Sequence, residues 1–223
     1  MDYHGGMSKN SPLYLKQMEV GPMQNFVYFL GDANTREVFV VDPAWDVPAI
    51  LEEAQKNDLK IKGAFVTHAH FDHVNGVEEL LNKTNGIAYV QKNEAPYLKA
   101  FKDQTKTVDS GDKIKIGQVE TTFIHTPGHT PGSQCFLIDN GLISGDTLFI
   151  GACGRCDLPG GNAEQMYESL HRLSQLNENT ILYPGHNYSD EPTSTIGQEK
   201  RTNPYLQYDN MQGFLKRRMK GQS

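Results

Sequence analysis

Cysteine is scarce in this chain. Its 223 residues include three, Cys135, Cys153 and Cys156. An odd and sparse set does not make a disulfide framework, so the sequence points to a reducing compartment. Cys153 and Cys156 form a lone C-x-x-C, which reads as the flank of a loop rather than a redox or zinc motif. Long apolar runs are missing too. None approaches the roughly 18 residues of a membrane span. The opening Met1-Asp2-Tyr3-His4-Gly5-Gly6 has neither the basic nor the apolar region of a signal peptide. The expected location is cytoplasmic, away from membranes. A basic excess is also lacking. The 21 Lys and Arg against 27 Asp and Glu give a net charge of −6, which argues against a nucleic-acid partner. No linker, repeat or low-complexity stretch breaks the chain. One domain is therefore expected over residues 11–223, preceded by a loose tail over 1–10 in which His4 has no assigned role.

What is present is an ordinary globular profile, 37% hydrophobic and 22% charged, long enough to bury a core without staples. Leu13–Val20, Phe26–Leu30 and Glu37–Val41 read as strands, the first two separated by Gly21-Pro22. Val47–Lys56 has helical spacing, with Val47, Ile50, Leu51 and Ala54 on one face. Ile61–Val66 reads as a buried strand, Val77–Leu81 as a helix start, Ile87–Gln91 as a strand and Glu94–Phe101 as a helix. From Thr107 to Ile150 the texture changes to short strands with turn signals at Ser110-Gly111-Asp112 and Ile116-Gly117. Val119–His125, Ser133–Ile138 and Leu142–Ser144 are the strands there. Ala163–Leu176 is an amphipathic helix with Met166, Leu170 and Leu173 inward, and His171 falls on its solvated side. Thr180–Tyr183 is a last strand, and Gln198–Leu206 a helix stopped by Asn203-Pro204. Strands followed by helices, twice over, predict an α+β fold of two mixed sheets packed face to face with helices outside. The halves divide near residue 105.

The chain is organised around Thr67-His68-Ala69-His70-Phe71-Asp72-His73. Imidazole nitrogen and carboxylate oxygen suit zinc and first-row transition metals. The stretch lies between a strand and a helix, where sites are usually built. Its spacing is not the i, i+4 pair of a helical zinc site, and a loop can turn His68 and His70 to one side and Asp72 and His73 to another. Two adjacent metals become feasible. Similar strand-end loops recur at Thr126-Pro127-Gly128-His129, Ser144-Gly145-Asp146 and Tyr183-Pro184-Gly185-His186. Each has Gly or Pro beside the candidate ligand, so little bulk stands where a metal would sit. Strand ends on one rim of a sheet can converge.

These motifs resemble the metallo-β-lactamase superfamily. Within it, the chain resembles the short glyoxalase II-like thioester hydrolases and the related persulfide dioxygenases, over about Val20 to Leu206. The resemblance implies the four-layer αβ/βα sandwich, with His68, His70 and His129 on one divalent ion, Asp72, His73 and His186 on a second, and Asp146 between them. Zinc is the expected metal and iron the alternative. Gly154-Arg155-Cys156-Asp157 resembles a loop shared by the short hydrolases and the dioxygenases, and Thr195 to Pro204 resembles their C-terminal segment. The chain departs from glyoxalase II proper at Ala69, where a third consecutive His is usual, and it stops before the helical extension that clasps glutathione. Neither departure touches the metal motifs, but both leave the thiol carrier open.

The expected chemistry is attack on a thioester carbonyl, with Asp72 and Asp146 as catalytic carboxylates. Asp42, at a strand end, is read either as the carboxylate that fixes the second nitrogen of a ligand His or as a turn residue. Arg155 is read either as a grip on a substrate carboxylate or as an internal partner of Asp157. Tyr188 either lines the pocket or packs under the loop. His125 is read as structural, and Lys200 and Arg201 as a surface pair. The expected partner is a small-molecule thioester, with a homo-oligomer left open. The alternative function is a mononuclear iron dioxygenase of glutathione persulfide, held by His68, His129 and Asp146. The hydrolase is favoured because ligands for two metals are present and one iron needs only three.

Overall fold

The computed structural model describes residues 11–219. The tail expected over residues 1–10 lies outside them. Six strands form the first sheet: β1 (Leu13–Val20), β2 (Asn25–Asp32), β3 (Glu37–Val41), β4 (Lys60–Phe65), β5 (Ile87–Gln91) and β6 (Thr105–Val108). They lie side by side in chain order. β1, β2 and β3 are antiparallel, and β3 to β6 are parallel. The chain continues through β7 (Lys113–Ile116), β8 (Val119–His125), β9 (Gln134–Ile138) and β10 (Gly141–Gly145). A small pair follows, β11 (Leu148–Phe149) and β12 (Ala152–Cys153), then β13 (Ile181–Pro184) and β14 (Ser194–Thr195). The second sheet runs in the order β14-β13-β10-β9-β8-β7, with β10 and β13 parallel and the other neighbours antiparallel.

The helices are α1 (Val47–Lys56), α2 (Phe71–Val74), α3 (Val77–Thr84), α4 (Ala163–Leu173), α5 (Ile196–Thr202) and α6 (Met211–Met219). Strand alternation decides which layer each side chain joins. On β2, Phe26, Tyr28 and Leu30 face the second sheet and meet Phe123, Phe136, Ile143 and Tyr183. Val27 and Phe29 point the other way and pack with Val47 and Ile50 of α1 and Leu80 of α3. Phe65 sits at the middle of the inter-sheet core, stacked on Phe39 at 4.5 Å and edge-on to Phe123 at 5.0 Å. On the far side, Cys135, Leu142 and Leu182 receive Met166, Leu170 and Leu173 of α4, Ile196 of α5 and Phe214 of α6. The result is helix, sheet, sheet, helix, the metallo-β-lactamase sandwich expected above.

Three expectations need correction. The helix expected over Glu94–Phe101 is a single 3₁₀ turn, Ala95–Tyr97, with a second, Lys102–Gln104, just beyond it. Pro96 offers no N–H, and Glu94 turns inward to serve other loops, so no helix propagates. α4 ends at Leu173 rather than Leu176. The helix expected over Gln198–Leu206 starts earlier, capped by the Thr195 hydroxyl, and ends at Thr202, where Asn203 spends its amide on the carbonyls of Phe149 and Ala152. Among the described residues no helix is long and apolar enough to cross a membrane.

Candidate metal centre

Parallel pairing brings the site together. β3 and β4 run the same way, as do β10 and β13, and two antiparallel steps make β8 run with β10. The C-terminal ends of these strands therefore carry Asp42, the 67–73 loop, His129, Asp146 and His186 to one rim. Gln134 ties the two sheets together there. Its N–H donates to Thr67 O at 2.9 Å and its amide to Val66 O at 2.7 Å. The glycines make room. A Cβ on Gly185 would stand 2.4 Å from Oδ1 of Asp146, and Gly145, at φ +48°, packs where a Cβ would meet Thr67 at 2.6 Å.

Two clusters result. His68, His70 and His129 bring their ligand atoms within 4.8 Å of one another, and so do Asp72, His73 and His186. Asp146 belongs to both surroundings. One oxygen lies 3.5 Å from His129 Nε2 and 3.4 Å from His186 Nε2, and the other lies 3.4 Å from His73 Nε2. A further grouping, Asp42 with His68 and His73, is of a different kind, because the Asp42 carboxylate is spent on hydrogen bonds.

Hydrogen bonds select the tautomers. Nδ1 of His129 donates to Arg155 O at 2.8 Å, Nδ1 of His186 to Met23 O at 2.9 Å, and Nδ1 of His73 to Asp42 Oδ2 at 2.9 Å. These partners only accept, so each Nδ1 carries the hydrogen and each Nε2 keeps a lone pair. The Thr67 hydroxyl donates to Asp42 at 2.5 Å and therefore accepts from His68 Nδ1 at 3.0 Å. His70 turns the other nitrogen, placing Nδ1 3.1 Å from His68 Nε2. Lone pairs thus point at a common interior. Nε2 of His129 and Oδ1 of Asp146 are buried with no hydrogen-bond partner, a cost that bound cations would remove.

Charge agrees with geometry. Burial, then the neighbouring His73 and His129, hold His68 well below its ordinary value. Burial and His129 hold His70 down to about 4. Both are neutral and ready to ligate. Burial alone would raise Asp72 and Asp146, but His73 and its fellow imidazoles outweigh it and keep both carboxyls below the usual range. His73 goes the opposite way. Burial opposes its charge, but Asp146, Asp42 and Asp72 together attract a positive charge there. These residues fit a divalent-metal centre built from nitrogen and oxygen donors.

A sequence pattern describing the metallo-beta-lactamase superfamily matches residues 20–186. The chain belongs to the metallo-beta-lactamase superfamily. It is 33% identical over 193 residues to a protein of Bacillus subtilis (strain 168), the probable polyketide biosynthesis zinc-dependent hydrolase PksB, a match covering 86% of each. It is 39% identical over 171 residues to a hydroxyacylglutathione hydrolase of Tolumonas auensis, covering 74% of this chain and 62% of that enzyme. The crystal structure of ETHE1 from Myxococcus xanthus superposes with a TM-score of 0.85 at 30% identity, covering 92% of this chain and 90% of that one. Metallo-beta-lactamase superfamily members bind divalent metals, and the His and Asp clusters suit that role.

The other candidates fall around this metallo-beta-lactamase centre. Asp42 holds His73 and Thr67, as a supporting carboxylate would. Arg155 lends its carbonyl to His129, while its guanidinium lies 65% exposed and pairs with Asp157 through both ends, at 3.0 and 2.6 Å. The internal pair is therefore the arrangement present, and a substrate carboxylate would have to displace Asp157. The Tyr188 ring is stacked on His186 at 4.6 Å, is 58% exposed, and meets Phe149 edge-on. Burial, with Asp146 and Asp72, pushes its hydroxyl above the ordinary value. His125 binds Pro131 O and stays out of the clusters. His171 is exposed beside Tyr167, and Lys200 and Arg201 pair with Glu178. Burial pushes the Cys153 thiol up to about 12, an inert partner for a C-x-x-C.

Sequence reasoning missed Glu94, Asn25 and Trp45. Glu94, 1% exposed, accepts from Ala69 N at 2.7 Å, Thr130 Oγ1 at 2.6 Å and Gly132 N at 2.7 Å, and so clamps the His68 loop to the His129 turn. Only the oddity of a glutamate beside buried apolar positions could have flagged it.

Proposed function

We propose that the chain is a dinuclear metal-dependent hydrolase of thioesters, glyoxalase II-like, with zinc as the expected metal and iron as the alternative. The observation that carries this reading is the position of Asp146, within 3.5 Å of His129 on one side and of His73 and His186 on the other. A carboxylate so placed suits two cations held side by side. His68, His70 and His129 would hold one, Asp72, His73 and His186 the other. Bound there, two divalent ions supply hydroxide at neutral pH and polarise a carbonyl oxygen. The rest falls to the chain. Asp72 and Asp146, kept ionised, offset the positive charge and offer acceptor oxygens that orient an attacking water. His129, His186 and His73 stay fixed by the acceptors on their Nδ1 atoms. Tyr188 lies where it can border an acyl or thiol group, and Arg155 would contact a substrate carboxylate if Asp157 releases it. Water adds to the thioester carbonyl, the carbon–sulfur bond breaks, and a carboxylic acid and a thiol leave. The thiol needs little help as a leaving group.

The experiment compares wild type with Asp72→Ala. Metal per chain, thioester hydrolysis and oxygen uptake with glutathione persulfide are measured in both. The hydrolase reading expects two ions and hydrolysis in the wild type, with one ion and most of the hydrolysis lost in the variant. A wild type that consumes oxygen with the persulfide and ignores thioesters would instead support an iron dioxygenase held by His68, His129 and Asp146, since Asp72 stands outside that triad.

A further inference from the structure

The first residue of β2 is not a titratable ligand, yet it is built into the site. Asn25 is 1% exposed. Its Nδ2 donates to the Asp72 carboxylate at 2.9 Å and to the Asp72 carbonyl at 3.0 Å. Its Oδ1 accepts from the indole N–H of Trp45 at 2.8 Å. An indole N–H can only donate, so it decides which way the Asn25 amide faces, and the amide in turn aims both of its N–H groups at Asp72. The backbone of Asn25 acts on the next ligand. It pairs with His186 in an antiparallel bridge, flanked by Phe26 N to Gly185 O and Asn187 N to Gln24 O, each at 2.8 Å. Trp45 is itself anchored. Its backbone N–H donates to Asn75 Oδ1 at 2.7 Å, its ring fills the space a Cβ on Gly21 would take, and it meets Phe71 edge-on at 6.0 Å, one residue before Asp72. Trp45 holds a left-handed φ of +62°, a conformation an aromatic residue adopts only when its surroundings insist.

We infer that Asn25, oriented by Trp45, is a positioning residue for Asp72 and His186, and that it sets the affinity of this half of the centre. The inference rests on the two-ion reading above. Asp72 lies on a single helical turn, Phe71–Val74, too short to hold a carboxylate rigidly by itself. The amide supplies what the helix lacks. It also wires the centre to Trp45, the chain's one tryptophan, so indole emission reports on Asp72.

The test is titration of metal-free protein with zinc against a chelating dye, with tryptophan emission followed in parallel. Wild type is expected to take two equivalents, and emission should change with the equivalent that engages Asp72. Asn25→Leu should bind that equivalent about tenfold or more weakly, the scale of lost ligand support, while the other changes less than about twofold and the emission response disappears. If Asn25→Leu does not fold, Trp45→Phe replaces it, removing the indole N–H together with part of the ring and the emission signal, and giving a smaller loss on the same equivalent by dye competition. Two equivalents in wild type with unchanged affinities in the variant would overturn the positioning role alone. One equivalent in wild type would overturn the two-ion reading, and the positioning role with it.

Discussion

Asp42 receives Nδ1 of His73 at 2.9 Å on the same carboxylate that takes the N–H and hydroxyl of Thr67 at 2.7 and 2.5 Å. One carboxylate thus orients His73 directly and His68 through Thr67, one imidazole from each cluster. Asp42 sits at φ +48°, which Asn tolerates as well as Asp. Asp42→Asn should keep the backbone and lose the chemistry, since its NH₂ would meet a donor. The expected cost is about 1.5–3 kcal/mol of stability. Metal affinity should fall about 10–100-fold. Denaturant unfolding and metal titration measure the two, and unchanged affinity would reduce Asp42 to a turn residue.

Gly185→Ala tests the space beside Asp146. The backbone there accepts alanine, but its methyl would lie 2.4 Å from Asp146 Oδ1 and 2.9 Å from the carbonyl carbon of Gly145. Overpacking of this kind costs about 1–3 kcal/mol. Because Asp146 borders both clusters, both equivalents of metal should weaken together. Selective loss of one would mean that Asp146 serves a single ion.

Glu94→Gln probes the clamp between the His68 loop and the His129 turn. Glutamate accepts three donors there, and glutamine would turn an NH₂ toward at least one of them. A loss of about 1.5–3 kcal/mol is expected. Binding at the cluster of His68, His70 and His129 should suffer more than binding at Asp72, His73 and His186. Equal losses would indicate a purely global effect.

The thiols set an alkaline limit. Burial pushes Cys135 from 9.0 to about 11 and Cys153 to about 12. The folded state therefore holds a proton that the unfolded state releases first. That stability is complete below pH ~9 and is lost as pH rises toward ~11–12. For Cys135 the displacement amounts to about 3 kcal/mol, at 1.36 kcal/mol per pH unit. At pH 8 these two thiols should resist alkylation until the chain unfolds, which timed labelling with mass spectrometry reads. Rapid labelling of either in folded protein would contradict the burial.

Much of this site could be read from the chain because its information is local. His68, His70, Asp72 and His73 share one loop, and β4 before it is an apolar run whose Ala64 and Phe65 are fully buried. Gly and Pro mark the turns that carry His129 and His186. Strands such as Glu37–Val41 and Ile87–Gln91 were legible because β-branched and aromatic residues alternate between two buried faces. The 94–101 segment departs from the helix expected there because Glu94 is pinned to Ala69, Thr130 and Gly132, contacts that local sequence does not encode.

By itself, then, the sequence determined the candidate donors, the strand–loop–strand rhythm that presents them, and the metallo-beta-lactamase sandwich. Tertiary structure alone decided how the donors divide and what steadies them. Asp146 lies between the clusters because β10 and β13 are parallel neighbours. Asn25 reaches Asp72 across 47 positions, and Gln134 reaches Val66 across 68. Glu94 closes on Thr130 across 36. A hydrogen bond needs its donor and acceptor within about 3 Å, and nothing in local propensity encodes a separation that only the packing of two sheets can close.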